Sequence, residues 1–169
     1  MTAFSSWGQG RRAAAAIGAV TIGLLTLSAC EKPTPMATVT VGKDTVTAEA
    51  ACYDNGDVLG NPAKDKKAQA KFEECLTAAP KKTITVHPGE KVRIGVDPDM
   101  ADQGWFALTS SARLNNLSKQ TYASFAGDDL FVNQQTRSLN KNTVISVVTS
   151  NSDGGYTGVW NIKLERAES

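Results

Sequence analysis

A mainly β chain folded as a two-sheet sandwich, with one inserted α-helix, is what this sequence predicts. Three observations carry the prediction. Seven or eight short runs read as strands, several of them by apolar and polar residues alternating with period 2. Clusters of Gly, Pro, Asn and Asp separate these runs. Only one stretch, residues 62–79, has the three- and four-residue apolar spacing of an amphipathic helix. Many short strands between turn signals describe a sandwich of immunoglobulin-like type.

Residues 37–41 (A-T-V-T-V) alternate and open the sheet, Gly42-Lys43-Asp44 turns, and residues 45–47 return. Cys52-Tyr53 leads into the turn cluster Asp54-Asn55-Gly56-Asp57. Asn61 is then a natural N-cap and Pro62 a natural first helical residue. From there Ala68, Phe72, Cys75, Leu76 and Ala79 fall on one face, and Pro80 closes the helix. Residues 83–87 alternate again, Pro88-Gly89 turns, and Val92, Ile94 and Val96 share a face. Asp97-Pro98-Asp99 breaks the chain. Residues 105–108 and 121–125 read as short strands, and residues 130–132 as a further one. Residues 143–149 are apolar on both faces, as a central strand requires. Residues 151–155 (N-S-D-G-G) make a hairpin turn. In the last strand Tyr156, Gly158, Trp160, Ile162 and Leu164 are expected to share one face, with Lys163 and Glu165 on the other.

The first thirty residues follow another pattern. Arg11 and Arg12 precede an uncharged apolar run of fifteen residues, 13–27, followed by Ser28-Ala29-Cys30. A basic start, an apolar middle and small residues at the end are the order of a secretory signal peptide. A transmembrane helix needs roughly twenty apolar residues. The ending Leu27-Ser28-Ala29-Cys30 resembles the lipobox of bacterial lipoproteins. That resemblance implies a diacylglyceryl group on the Cys30 thiol and removal of the peptide before it. The expected organisation is a signal peptide over 1–29, itself helical, a lipidated cysteine and tether over 30–36, and the sandwich domain over 37–169. The expected location is the outer face of the cytoplasmic membrane, held by membrane lipid through acylated Cys30. Two acyl chains suffice for stable attachment, at about 0.8 kcal/mol per buried methylene. The alanines after Arg11-Arg12 favour the general secretory route over twin-arginine export.

Without residues 1–29 the chain keeps 140 residues, one ordinary domain. Arg11 and Arg12 are the only charges in the signal, so 16 of the 18 basic groups and all 17 acidic groups remain. That balance gives no field for nucleic acid, and attachment to a membrane must come from lipid. Of the three cysteines the lipid takes one. Cys52 and Cys75 are left as an even pair in an oxidising compartment, and a disulfide is the natural reading. In the chain-entropy model such a bridge is worth roughly 3 kcal/mol. Two buried free thiols, or a redox or metal pair, are the competing readings.

Catalytic chemistry finds little support. His87 is the only histidine, no G-x-S-x-G occurs, and the serines lie in loop-like stretches. A blue-copper site needs two histidines and a thiolate. Asp97, Asp99 and Asp102 offer oxygen ligands, yet lack the glycine and distal glutamate of a calcium loop, so a solvated turn with a helix-start carboxylate is expected. No cofactor and no metal are expected. Trp105 and Phe106 are adjacent and must point to opposite faces of their strand; whichever is exposed is the candidate binding surface.

Several features recur in a known order. Ala51-Cys52-Tyr53-Asp54 is followed by Cys75, then the strand-turn unit Thr85-Val86-His87-Pro88-Gly89, then Ala101-Asp102 and Trp105, and a last strand centred on Trp160. This order resembles an uncharacterised family of actinobacterial secreted lipoproteins that carries only a domain of unknown function. The resemblance covers roughly residues 37–165. The helix at 62–79 departs from it, since a shorter link between the cysteines is the family pattern. The family brings no activity with it. The expected function is a membrane-anchored surface binding or adaptor module, contacting an envelope protein or a cell-wall component. A small-ligand or ion-binding lipoprotein is the alternative, and an enzyme is not expected.

Overall fold

The computed structural model describes residues 33–110 and 112–168. The expected signal peptide and Cys30 lie outside the described residues. The domain is an immunoglobulin-like two-sheet β-sandwich, built on the alternation read above. Strands β1 (Ala37–Val41), β2 (Asp44–Ala48), β5 (Lys91–Val96) and β7 (Tyr122–Ala126) form the first sheet, in the order β2-β1-β5-β7. Strands β3 (Cys52–Tyr53), β9 (Tyr156–Arg166), β8 (Asn142–Ser150) and β6 (Trp105–Leu108) form the second, in that order. Strand β4 (Thr83–Val86) pairs parallel with the C-terminal half of β9, and β3 pairs antiparallel with its N-terminal half.

The core between the sheets combines aliphatic side chains with two buried tryptophans. Val39, Val92 and Ile94 from the first sheet meet Trp105, Ala107, Ile145, Val147, Trp160 and Ile162 from the second. Helix α1 (Lys66–Thr77) packs on the opposite face of the second sheet and makes a third layer. There Cys75, Phe72 and Leu76 meet Tyr156, Val159 and Val148. Strands β8 and β9 are therefore buried on both faces over most of their length, which explains why apolar residues fall on both sides of each.

Three ties hold α1 in place. The Cys52–Cys75 disulfide joins it to β3, with Cα atoms 5.7 Å apart. Phe72 packs on Tyr156, ring centroids 4.8 Å apart. Asn161, buried on β9, donates from Nδ2 to the carbonyls of Cys75 (2.8 Å) and Ala78 (3.0 Å), and its Oδ1 accepts from the Ser146 hydroxyl (2.8 Å). The last carbonyls of a helix lack partners within the helix. Here a strand residue far along the chain supplies them.

Several sequence expectations are corrected. The helix begins at Lys66, with Asp65 as its N-cap rather than Asn61. The Asp65 carboxylate accepts from the amides of Lys67 and Ala68. Asn61 instead folds residues 62–64 into a turn, accepting from Ala63 N and donating to Asp153 O. Ala79 lies beyond the helix end and is exposed. Residues 97–99 do not merely turn. Pro98 starts a short helix, α2 (Pro98–Gln103), which buries Met100 and Ala101 and stops at Gly104, where φ is 100°. The expected strand at 130–132 is a 3₁₀ turn, Asp128–Phe131. Leu130 and Phe131 both enter the central core, whereas neighbours in a strand point to opposite faces. Tyr156 does not share the face of Trp160. A register shift at Thr149/Ser150 turns it to the α1 side, because a bulge breaks the period-2 count.

The boundary of the domain also moves. The compact unit begins at Thr34, so residues 34–36 belong to the sandwich rather than to a tether. Pro35 is buried, and its carbonyl accepts from Trp160 Nε1 at 2.8 Å; Met36 N donates to Asp97 Oδ2 at 2.8 Å. Trp160 in turn depends on Gly158. A Cβ at Gly158 would collide with Cη2 of the Trp160 ring and come within 2.6 Å of Cζ3.

Two outcomes are expected. Gly158→Ala forces the indole off its seat and lowers stability by about 1–3 kcal/mol, read as a drop in urea midpoint without a change in slope. Asn161→Ala strands two helix carbonyls and the Ser146 hydroxyl and costs about 2–3 kcal/mol in the same assay.

Candidate binding face

Both faces of the second sheet are occupied, by the central core and by α1. Its β6 edge is covered as well. The segment after β6 folds back, with Ser118 bridging Trp105 and Arg113 bridging Leu108. The outer face of the first sheet is different. The residues pointing outward from its four strands are small, polar or charged, and none belongs to either core cluster.

The register sets these residues in rows. One row runs Thr47, Thr38, Gly95, Tyr122; the next runs Thr45, Thr40, Arg93, Ser124. Neighbouring strands lie about 4.8 Å apart, so each row is roughly 14–15 Å long. The Thr38 and Thr47 hydroxyls are 3.2 Å apart, and those of Thr40 and Thr45 are 3.0 Å apart. A bonded hydroxyl pair still has one donor and three acceptor positions open to solvent. Among the described residues Tyr122 is the most exposed of the large apolar or aromatic side chains, at 65%. The residue opposite it, Gly95, has no side chain, and a Cβ built there would meet nothing nearer than 3.9 Å. Arg93 is exposed and takes part in none of the described ion pairs.

Trp105 is fully buried in the central core, its indole N–H donating to Gln120 O at 2.6 Å. It is a packing residue, which removes it from the candidate binding surface. Phe106 faces the α1 side, half-buried, with the Arg113 guanidinium 3.9 Å from its ring centroid. The two adjacent aromatics thus fill the two layers that flank the second sheet. Tyr122 carries the exposed aromatic surface instead. Sequence alone ranked it as an ordinary strand residue, because its isolation among Thr, Ser and Ala appears only when four strands are set side by side.

Among the described residues no three His, Cys, Asp or Glu side chains converge as a metal site, and the Asp97, Asp99 and Asp102 run starts and lines α2. Asp97 spends its carboxylate on Met36 N. His87 is exposed after β4, its amide held by Glu90 Oε2 at 2.8 Å. Two of the open depressions on the surface are lined by described residues. One, of 450 Å³, lies beside Ala50, Ala78 and Asn161. Both Asn161 donors are already used there, and Lys81 is paired with Glu49. The other, of 280 Å³, lies at the β7 edge beside Arg113 and Phe125. Among the described residues no helix is long and apolar enough to cross a membrane.

No family model matches the chain, and no curated protein matches it. Among solved structures it is similar to a fibronectin(III)-like module of CbhA from Clostridium thermocellum, with a TM-score of 0.35 and 14% identity, over 54% of this chain and 95% of that one.

One titrating group is unusual. The Tyr156 hydroxyl is buried without a hydrogen-bond partner. Burial, and after it the Glu74 carboxylate, raise its pKa above the ordinary tyrosine value of 10.0. The folded state therefore keeps this proton after the unfolded chain has lost it, and stability falls as pH rises above about 10. Tyr156→Phe is expected to flatten that fall and to raise stability at pH 7 by about 1 kcal/mol, since a stranded hydroxyl is removed. Urea melts at pH 8 and pH 10.5 test this; equal alkaline losses in both proteins contradict it.

Proposed function

We propose that this protein is a membrane-anchored extracytoplasmic lipoprotein acting as a surface binding or adaptor module, with the outer face of the first sheet as its contact surface. The observation that carries the contact surface is the uncovered face itself. Among the described residues the other broad faces of the sandwich are spent on packing, whereas this one offers paired threonine hydroxyls with open acceptor positions, a guanidinium outside the described ion pairs and an exposed tyrosine. Rigid strands hold these groups at fixed spacing, which reduces the ordering cost of binding.

Support for the anchor comes from the chain itself. Leu27-Ser28-Ala29-Cys30 has the lipobox pattern, and the domain carries a disulfide of the kind exported proteins keep. Only Glu31, Lys32 and Pro33 separate Cys30 from the first residue of the compact unit. Such a link reaches at most about 14 Å. A lipid on Cys30 would therefore hold the module near the membrane surface.

The anchor is tested by Cys30→Ser in a lipoprotein-processing host. The wild type is expected to shift to lower mass on signal removal, to incorporate labelled palmitate and to partition into detergent. The variant is expected to stay unprocessed or to appear in the soluble fraction. A variant that is still cleaved at the same site and still membrane-bound refutes the anchor.

A further inference from the structure

We infer that the outer face of the first sheet binds a glycan strand that carries carboxylates; this rests on reading that face as the contact surface. Three properties of the face point to this ligand together. The first is hydroxyl density. Thr45 and Thr47 on β2 and Thr38 and Thr40 on the adjacent β1 stand with Ser124 of β7 on one face, and the two bonded threonine pairs leave most of their acceptor positions free. A protein partner calls for an apolar centre to its interface. This face has a single aromatic ring and no aliphatic cluster, and a polyhydroxylated polymer matches it better.

The second property is the setting of Tyr122. Its ring is mostly in solvent, and across from it Gly95 leaves an open floor between Thr38 and Tyr122. The C–H face of a pyranose ring can lie against the tyrosine while the bare glycine leaves room for the rest of the sugar. The strand spacing of about 4.8 Å is close to the length of one sugar ring, so successive sugars along a row would meet successive strands.

The third property is charge. The only charged side chains pointing outward from the four strands are Arg93 and Lys91, and both are cationic. Arg93 sits between Thr40 and Ser124 in its row, one diagonal step from Tyr122. A diagonal step spans about 7–8 Å. A guanidinium grips a carboxylate through two parallel hydrogen bonds, and Arg93 has no intramolecular carboxylate among the described ion pairs to hold. A sugar against Tyr122 and its neighbour's carboxylate on Arg93 would then be read together.

The test uses the full-length protein in detergent, with affinity electrophoresis through gels containing polygalacturonate, hyaluronate or purified cell-wall glycan strands. Dextran and poly-glutamate serve as the uncharged sugar and the sugarless anion. Retardation is expected on at least one carboxylated glycan and on neither control. Tyr122→Ala and Arg93→Gln should each weaken it about tenfold, the loss of one good stacking or bidentate contact, while Lys141→Gln, remote and exposed, leaves it unchanged. Both face variants point to solvent and should melt as the wild type does. No retardation on any carboxylated glycan overturns the inference, as does equal retardation on dextran or poly-glutamate. A photocrosslinker at Tyr122 that captures an envelope protein in cells, with no glycan binding in the gels, keeps the contact face and overturns the ligand. Failure of the Cys30 test bears on the anchor alone, because the gel assay needs no membrane.

Discussion

The indole of Trp160 fills the space that a side chain at residue 158 would need, and its N–H ends on the carbonyl of Pro35, 125 residues earlier in the chain. Most of the architecture passes through that point. Trp160 sits in the middle of β9, the longest strand, which pairs with β8 along one side and with β3 and then β4 along the other. Tyr53 packs on the same indole, with ring centroids 5.8 Å apart, one residue from the disulfide. The start of the domain, the edge of the second sheet and the root of the disulfide are thereby registered to one side chain. Gly158 is the condition for this, since no larger residue fits beneath the ring.

The same strand explains why one sheet is open and the other is not. Asn161 follows Trp160 and points the opposite way, into the end of α1, where it completes the helix carbonyls. Alternation along β9 thus joins the central core to the outer layer, and the disulfide repeats the connection at the sheet edge. Helix, disulfide and asparagine all act on the second sheet. Among the described residues nothing comparable covers the first sheet, whose outward positions include threonine, serine, glycine and arginine. Threonine suits an exposed strand because its branched Cβ favours extended backbone while its hydroxyl stays hydrated. The open face is therefore stable without a covering layer, and its outward groups stay in contact with solvent.

Much of this was legible in the sequence, and the gaps have definite causes. Local alternation and turn chemistry located the strands, because both are properties of neighbouring residues. The apolar character of residues 143–149 marked β8 as central for the same reason. The misread segments are those where a distant group competes with a local preference. Asn61 has every local feature of an N-cap, yet its amide is taken by Asp153 across the fold and Asp65 caps the helix instead. Leu130-Phe131 has strand-like residues, but both must enter the core, which only a helical turn permits. Tyr156 is displaced to the other face by a bulge whose cause lies in pairing with β8.

The candidate site divides along the same line. By itself the sequence determined the sandwich, the cysteine pair, the lipobox pattern at Cys30 and the fact that Trp105 and Phe106 point opposite ways. These follow from composition, spacing and the two-residue period of a strand. Only the tertiary structure decided that Trp105 and Phe106 are both covered, and that Tyr122, Gly95 and Arg93 stand together in the open. Those three residues lie on two strands, β5 and β7, and they meet only through pairing register. Register is set by which faces must be buried against the rest of the molecule, and no local stretch of sequence contains that information.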